Sequence, residues 1–210
     1  MAAALKSARH EAAGLEAGRI RLVKICSYAY EEYLDQIRKF HGTLAPGLII
    51  GGFMVDTAMK NLPPGELFDA MCETPVCLPD AVQMLTPCSI GNRWLKIFDY
   101  GKFAIALYEK YEGRGVRVYV DPAKLEKWPE IKGWFMKLVP KHQQDTGKLL
   151  EEIRQAGAAI LSHHPVQIKQ ENLKKKKLGP SGLCPVCKEA YPLRDGASCR
   201  PCRGDTPYAG

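Results

Sequence analysis

No run of about 20 uncharged apolar residues occurs in this chain of 210 residues, which excludes a membrane-spanning helix of ordinary length. The first ten residues, Met1 to His10, carry an alanine run with Lys6 and Arg9 but no long apolar centre. They read as a helical tail and not as a signal peptide, and the protein is expected in the cytoplasm. No internal repeat is present, so a solenoid is excluded. Residues 181–210 hold few apolar side chains (Leu183, Val186, Tyr191, Leu193), too few to form a core unaided. Aromatic groups there amount to little more than Tyr191 and Tyr208, which argues against nucleic-acid binding through base stacking.

Hydrophobic residues make up 46% of the chain, enough for a normal core. The formal charge of +7 is concentrated late: from His163 onward nine Lys or Arg face four acids. The run Lys174 to Lys177, followed by Gly179-Pro180, reads as a solvated linker. The expected organisation is a core domain over residues 1–170, a basic linker over 171–180 and a small cysteine domain over 181–210.

Cys26, Tyr30, Tyr33, Ile37 and Phe40 recur at helical spacing, and Glu31, Glu32, Asp35 and Arg38 fall on the opposite face. His41-Gly42 ends that predicted helix. Pro46 opens a second one that runs to Pro63-Pro64. The Gly51-Gly52 pair inside it costs about 1 kcal/mol per residue relative to alanine, which predicts close backbone packing or a ligand. Leu67 to Glu73 reads as a strand, and Pro79 to Met84 as a short helix with Asp80 in its first turn. Trp94 to Phe98, Phe103 to Glu109 and Val116 to Val120 read as consecutive strands joined by hairpin turns at Asp99–Lys102 and Glu112–Gly115. Helices are expected over Trp128 to Leu138 and Lys148 to Leu161, with a return strand at Val166 to Ile168. The predicted class is α+β: an antiparallel or mixed sheet packed with helices, plus a small C-terminal zinc-finger domain.

The chain has eight cysteines, and with no secretion signal disulfides are not their expected use. Cys184-Pro185-Val186-Cys187 and Cys199-Arg200-Pro201-Cys202 are two CxxC pairs whose four thiolates can close a tetrahedron about Zn(II). Such a closed site is structural, and the metal would supply most of the folding energy of the tail. Cys26, Cys72, Cys77 and Cys88 lie singly. Cys26 and Cys72 read as buried small hydrophobes. His41 reads equally as a helix-end residue or a ligand. A site built from His41 with Cys77 or Cys88 would have Asp80, Gln83 and Lys102 as supporting or substrate-binding groups. Thiol redox chemistry between Cys77 and Cys88 would need their Cα atoms within about 7 Å.

The segments Phe40-His41-Gly42, Pro46-Gly47, Cys77-x-x-Asp80-Ala81-Val82-Gln83, Leu85-Thr86-x-Cys88, Gly91-Asn92 and Asp99-Tyr100-Gly101-Lys102 resemble, in order, the FmdE-type family, named for the E subunit of formylmethanofuran dehydrogenase. The four-cysteine tail resembles the treble-clef zinc finger that many members carry. The resemblance implies an α+β core, a homodimer with exchanged elements, and a second divalent metal at a His/Cys cleft nominated by His41, Cys77 and Cys88. It further implies a redox-enzyme partner or a small-molecule substrate. The family pattern His-Gly-His-x-Cys-Pro-Gly is altered here: Thr43 replaces the second histidine and Ala45 the cysteine. Threonine is a poor zinc ligand and alanine none, so the implied core set is reduced and has an open position. Two functions stay open at this point. One is a metal-dependent enzyme or metal-handling accessory protein; the other is a non-catalytic dimeric module that contacts protein or nucleic acid through the zinc finger.

Overall fold

The computed structural model describes residues 23–65, 67–174 and 179–209. The expected helical tail over Met1 to His10 and most of the lysine run lie outside the described residues. The chain divides into two compact units, Met1–Leu173 and Lys174–Gly210. No helix among the described residues is long and apolar enough to cross a membrane.

The first unit begins with a two-strand ribbon, β1 (Lys24–Ile25) and β2 (Tyr28–Ala29), followed by helix α1 (Tyr30–His41). Cys26, expected on the helix, sits in the turn between β1 and β2. Its φ of 53° cannot enter a right-handed helix, and its N–H donates to Asp56 Oδ1 at 3.0 Å. Tyr30, Tyr33 and Ile37 form the buried stripe as predicted and Leu34 joins them, whereas Phe40 is 56% exposed and lies off it. Gly42 stops the helix in the left-handed conformation, φ 85°, with its N–H on Arg38 O.

Helix α2 (Pro46–Asn61) is apolar nearly all round and is buried accordingly. Its glycine pair is a packing feature. A Cβ on Gly51 would stand 2.8 Å from the Ala81 Cβ, and one on Gly52 would stand 2.4 Å from the Tyr33 ring. The Tyr33 hydroxyl donates to Leu48 O at 3.0 Å, which fixes that ring against α2.

The sheet is mixed, with order β4-β3-β5-β6-β7. Its strands are β3 (Phe68–Cys72), β4 (Leu95–Ile97), β5 (Ala104–Glu109), β6 (Arg114–Val120) and β7 (Leu161–Gln167). Ala70, Cys72, Ile105, Leu107, Val116, Val118 and Val120 join the helical residues in one continuous core. The other helices of this unit are α3 (Leu78–Leu85), α4 (Pro129–Phe135), α5 (Thr146–Ala156) and the short α6 (Gln170–Leu173).

Four further sequence-based expectations are corrected. Glu112–Gly115 does join antiparallel neighbours, but Asp99–Lys102 is not a hairpin, because β4 runs parallel to β3 and β5 lies on the far side of β3. The loop wraps the end of β3: Phe98 N–H donates to Cys72 O, and the N–H groups of Tyr100 and Lys102 both donate to Glu73 O. The Lys148–Leu161 helix instead starts at Thr146, capped by Asp145, and stops at Ala156 before Gly157 at φ 50°. Leu161 then opens β7, which is longer than the expected Val166–Ile168. Its Pro165 is tolerated because β7 is an edge strand. The Trp128–Leu138 helix is confined to Pro129–Phe135.

On the sheet face away from that core, Arg117 donates from Nε and Nη2 to the Glu73 carboxylate at 2.6 and 2.7 Å. Those hydrogen bonds hold the Glu73 pKa below its ordinary value, against the opposing effect of burial. A carboxyl lowered in the folded state stabilises above its unfolded pKa of about 4.3 and loses that contribution as pH falls through the folded value. Urea melts at pH 7 and pH 3 should therefore show a larger loss for the wild type than for Glu73→Gln. Equal losses would mean that the pair contributes nothing.

The second unit carries a hairpin, β8 (Ser181–Leu183) and β9 (Ala190–Pro192), in register Gly182 to Tyr191.

Candidate functional site

In the second unit the chain turns directly after β8. Cys184 N–H donates to Glu189 O at 2.9 Å, and Lys188, at φ 69°, returns its N–H to Cys184 O at 3.0 Å. Cys184 and Cys187 sit on this knuckle, and the turn around Pro201–Arg203 presents Cys199 and Cys202. The four Sγ atoms lie within 4.8 Å of one another, with Cys187 and Cys199 at 3.7 Å. A tetrahedron with Zn–S bonds near 2.3 Å has edges of about 3.8 Å, so the set fits zinc. Backbone N–H groups of Cys199 and Cys187 lower the Cys184 thiol to about 6, while hydrogen bonding with Cys199 and the other neighbouring thiols pushes Cys202 up to about 12. Four crowded thiols cannot all ionise without a cation to balance them.

In the first unit, Cys77 is the residue that the local backbone singles out. It precedes α3 with φ 59° and ψ −49°, and Leu78 N–H donates back to Val76 O at 2.6 Å. That is a three-residue γ-turn of the rare positive-φ kind, which costs energy in a non-glycine residue. The turn brings the Cys77 thiol against Gly47 in the first turn of α2: a Cβ on Gly47 would lie 2.9 Å from Sγ. Burial raises the Cys77 pKa, and the nearby Asp80 carboxylate raises it further. His41, the last residue of α1, and Asp80, in the first turn of α3, meet at 2.9 Å between Nδ1 and Oδ2. With Nδ1–H donated to the carboxylate, Nε2 is left as the accepting nitrogen.

The remaining expected site residues are dispersed. Cys88 lies beyond the other end of α3, fully buried, with its thiol donating to Phe68 O at 3.5 Å and pushed up to about 11 by burial. Gln83 accepts from Ile90 N–H at 3.2 Å and lines a separate cavity of about 310 Å³ with Tyr33, Gln36, Lys39 and Phe40. Lys102 projects from the loop around β3, and its charge helps lower Glu73. Among the described residues, the tail cysteines are the one set of three or more His, Cys, Asp or Glu side chains whose ligand atoms converge.

Beside Cys77, where a cleft was expected, the structure has one whose aromatic wall sequence reasoning missed. The cleft has a volume of about 560 Å³ and is bounded by Thr74, Val76, Cys77, Phe103, Trp134 and Lys137, among others. The available signal was the Trp134-Phe135 pair at the end of α4, which a helix accounts for without any cleft.

Comparison with known proteins bears on both units. The family described as "FmdE, Molybdenum formylmethanofuran dehydrogenase operon" matches residues 40–170, and "FmdE treble clef zinc finger" matches residues 175–209. A crystal structure of a tungsten formylmethanofuran dehydrogenase FmdE-like protein from Syntrophus aciditrophicus is 52% identical. It superposes with a TM-score of 0.84 over 90% of this chain and 100% of that one. A "Probable S-adenosyl-L-methionine-binding protein" of Archaeoglobus fulgidus is 28% identical over 192 residues, covering 81% of this chain. This chain spans about half of that relative's length, 52%.

Proposed function

We propose, from the premise that this chain belongs to the FmdE family, that it is a zinc-finger protein whose core is a metal-binding accessory site. In this reading the tail zinc is structural, and a second divalent ion is held by His41 Nε2 and the Cys77 thiolate. The observation that carries the reading is the 2.9 Å contact between His41 Nδ1 and Asp80. A carboxylate that fixes the other nitrogen of an imidazole is the usual support for a metal-ligating histidine. Imidazole and thiolate together suit a borderline ion such as zinc, and two protein donors leave positions for solvent or substrate. Cys88 is left out, because its thiol is turned to Phe68 O. When bound, the ion would supply Lewis-acid polarisation of a substrate oxygen. Asp80 would orient His41, and Lys102 would draw an anionic substrate toward the loop around β3. The cytoplasm, a homodimer and a redox-enzyme partner complete the proposal; the exposed apolar side chains Phe40, Val76 and Ile90 offer contact surface.

A second reading is a non-catalytic dimeric binding module. It is favoured by the convergence of ligand atoms at the tail alone among the described residues. Elemental analysis of protein purified without added metal separates the two. The accessory-site reading expects two ions per chain, one of which is lost in His41→Ala or Cys77→Ala and the other in Cys184→Ser. A single ion, unaffected by His41→Ala, would overturn the core site in favour of the binding module.

A further inference from the structure

The cleft beside Cys77 has the composition of an organic-ligand site. Its volume of about 560 Å³ falls within the range for small-molecule pockets, about 300–1,000 Å³. One wall is the loop Thr74–Cys77, and the other is the end of α4. Cys77 and Phe103, which also line it, both pack on Gly47 in the first turn of α2: a Cβ there would lie 2.9 Å from the sulfur and 3.4 Å from the ring.

Three rings line this space. Phe103 meets Trp134 and Phe135 edge-on, with centroids 6.4 and 6.0 Å apart, and Trp134 lies 6.2 Å from Phe135 at 46°. All three are only partly buried. The adjoining Met136 and Leu138 are 48% and 64% exposed, so apolar surface continues out of the cleft. Rings arranged edge-to-face present both faces and edges to a further ring, which favours a planar occupant.

The charge at the rim is placed by an unusual backbone. Leu138 N–H donates to Gly133 O at 2.9 Å and Lys137 N–H to Trp134 O at 3.3 Å, which closes the end of α4 with Lys137 at φ 55°. That position ordinarily belongs to glycine or asparagine. Here it carries a lysine whose side chain has no hydrogen bond or ion pair among the described residues. Asp99, also on the rim, is turned to Gly101 N–H at 3.2 Å. Its charge opposes a second anionic group on a ligand, so the rim suits one.

We propose that this cleft binds a small molecule with a planar aromatic ring and a single anionic group, the ring against Phe103, Trp134 and Phe135 and the anion at Lys137. The proposal rests on the core cleft being the working part of the molecule but does not need the second metal. The probe is 1-naphthoate, titrated calorimetrically into the full-length protein. Neutral 2-naphthylmethanol and non-planar cyclohexanecarboxylate serve as comparisons, and metal per chain is counted on the same samples.

The expected result is saturable binding of one naphthoate per chain, with cyclohexanecarboxylate about tenfold weaker. Trp134→Ala should weaken naphthoate about tenfold, the magnitude of one stacked ring. Lys137→Ala should weaken naphthoate about threefold, as for an exposed ion pair, and leave 2-naphthylmethanol unchanged. Lys137 is exposed, so that variant decides the matter even where Trp134→Ala fails to fold. Naphthoate affinity that Lys137→Ala leaves unchanged, or binding that fades as protein concentration rises because a second copy covers the cleft, would overturn the proposal. A single metal per chain, the one in the tail, with naphthoate binding intact would sink the metal reading alone.

Discussion

Stripping zinc from this protein is expected to unfold residues 181–210 and leave the first unit folded. Among the described residues of the second unit only Cys184, Tyr191 and Cys199 are buried, and two of these belong to the cysteine cluster itself. Zinc binding to four thiolates is worth about 10–16 kcal/mol at neutral pH in isolated finger peptides, far more than so small a cluster can supply. All three tryptophans, Trp94, Trp128 and Trp134, lie in the first unit, so their fluorescence reports on that unit alone. A strong chelator should release zinc from the tail and open Lys188, Arg194 and Arg203 to trypsin, while tryptophan emission stays constant. Cys184→Ser should reproduce the cleavage without chelator. Acid acts in the same direction, because protons compete with zinc for the thiolates. A tail that resists trypsin after its zinc is gone would refute the metal-dependent fold.

The second large effect is expected at Gly52. Alanine there gains about 1 kcal/mol of helix propensity, but its Cβ would stand 2.4 Å from the Tyr33 ring. That ring is fully buried and held by its hydroxyl on Leu48 O, so it cannot swing aside without losing a buried hydrogen bond. Overpacking of this kind costs about 1–3 kcal/mol, occasionally more. Gly52→Ala should therefore melt several degrees lower than the wild type despite the better helix former. The double variant Gly52→Ala, Tyr33→Leu should recover part of the loss, because the clashing ring is removed. A Gly52→Ala protein as stable as the wild type would mean that α1 and α2 can separate freely.

Much of the local structure was legible because it follows from short-range patterns. The apolar stripe at Tyr33 and Ile37, the Gly42 stop, the Pro46 start and the alternation Val116, Val118, Val120 each place an element within a few residues. Errors arose where a local signal has two meanings. Cys26 continued the helical spacing arithmetically, but Asp56, far away in sequence, holds its N–H in a turn. Asp99-Tyr100-Gly101-Lys102 has hairpin chemistry, yet its N–H groups are taken by Glu73 O at the end of β3. That capture sends the chain across β3, and no pattern within the loop encodes it.

The candidate site divides along the same line. The two CxxC pairs determine the tail cluster from sequence alone, because two short turns and one ion fix four sulfur atoms whatever surrounds them. His41, Cys77, Asp80, Gln83 and Cys88 come from separate segments, and only the packing of α1 and α3 against α2 decides which of them meet. It brings His41 to Asp80 and sends Cys88 to the opposite end of α3. The aromatic cleft belongs wholly to tertiary structure, since Phe103 and Trp134 are distant in sequence and become neighbours only when α4 folds back beside the start of β5. Sequence by itself determined the elements and the zinc ligands, whose geometry is local; the strand order, the pairing of His41 and the cleft were decided by long-range burial.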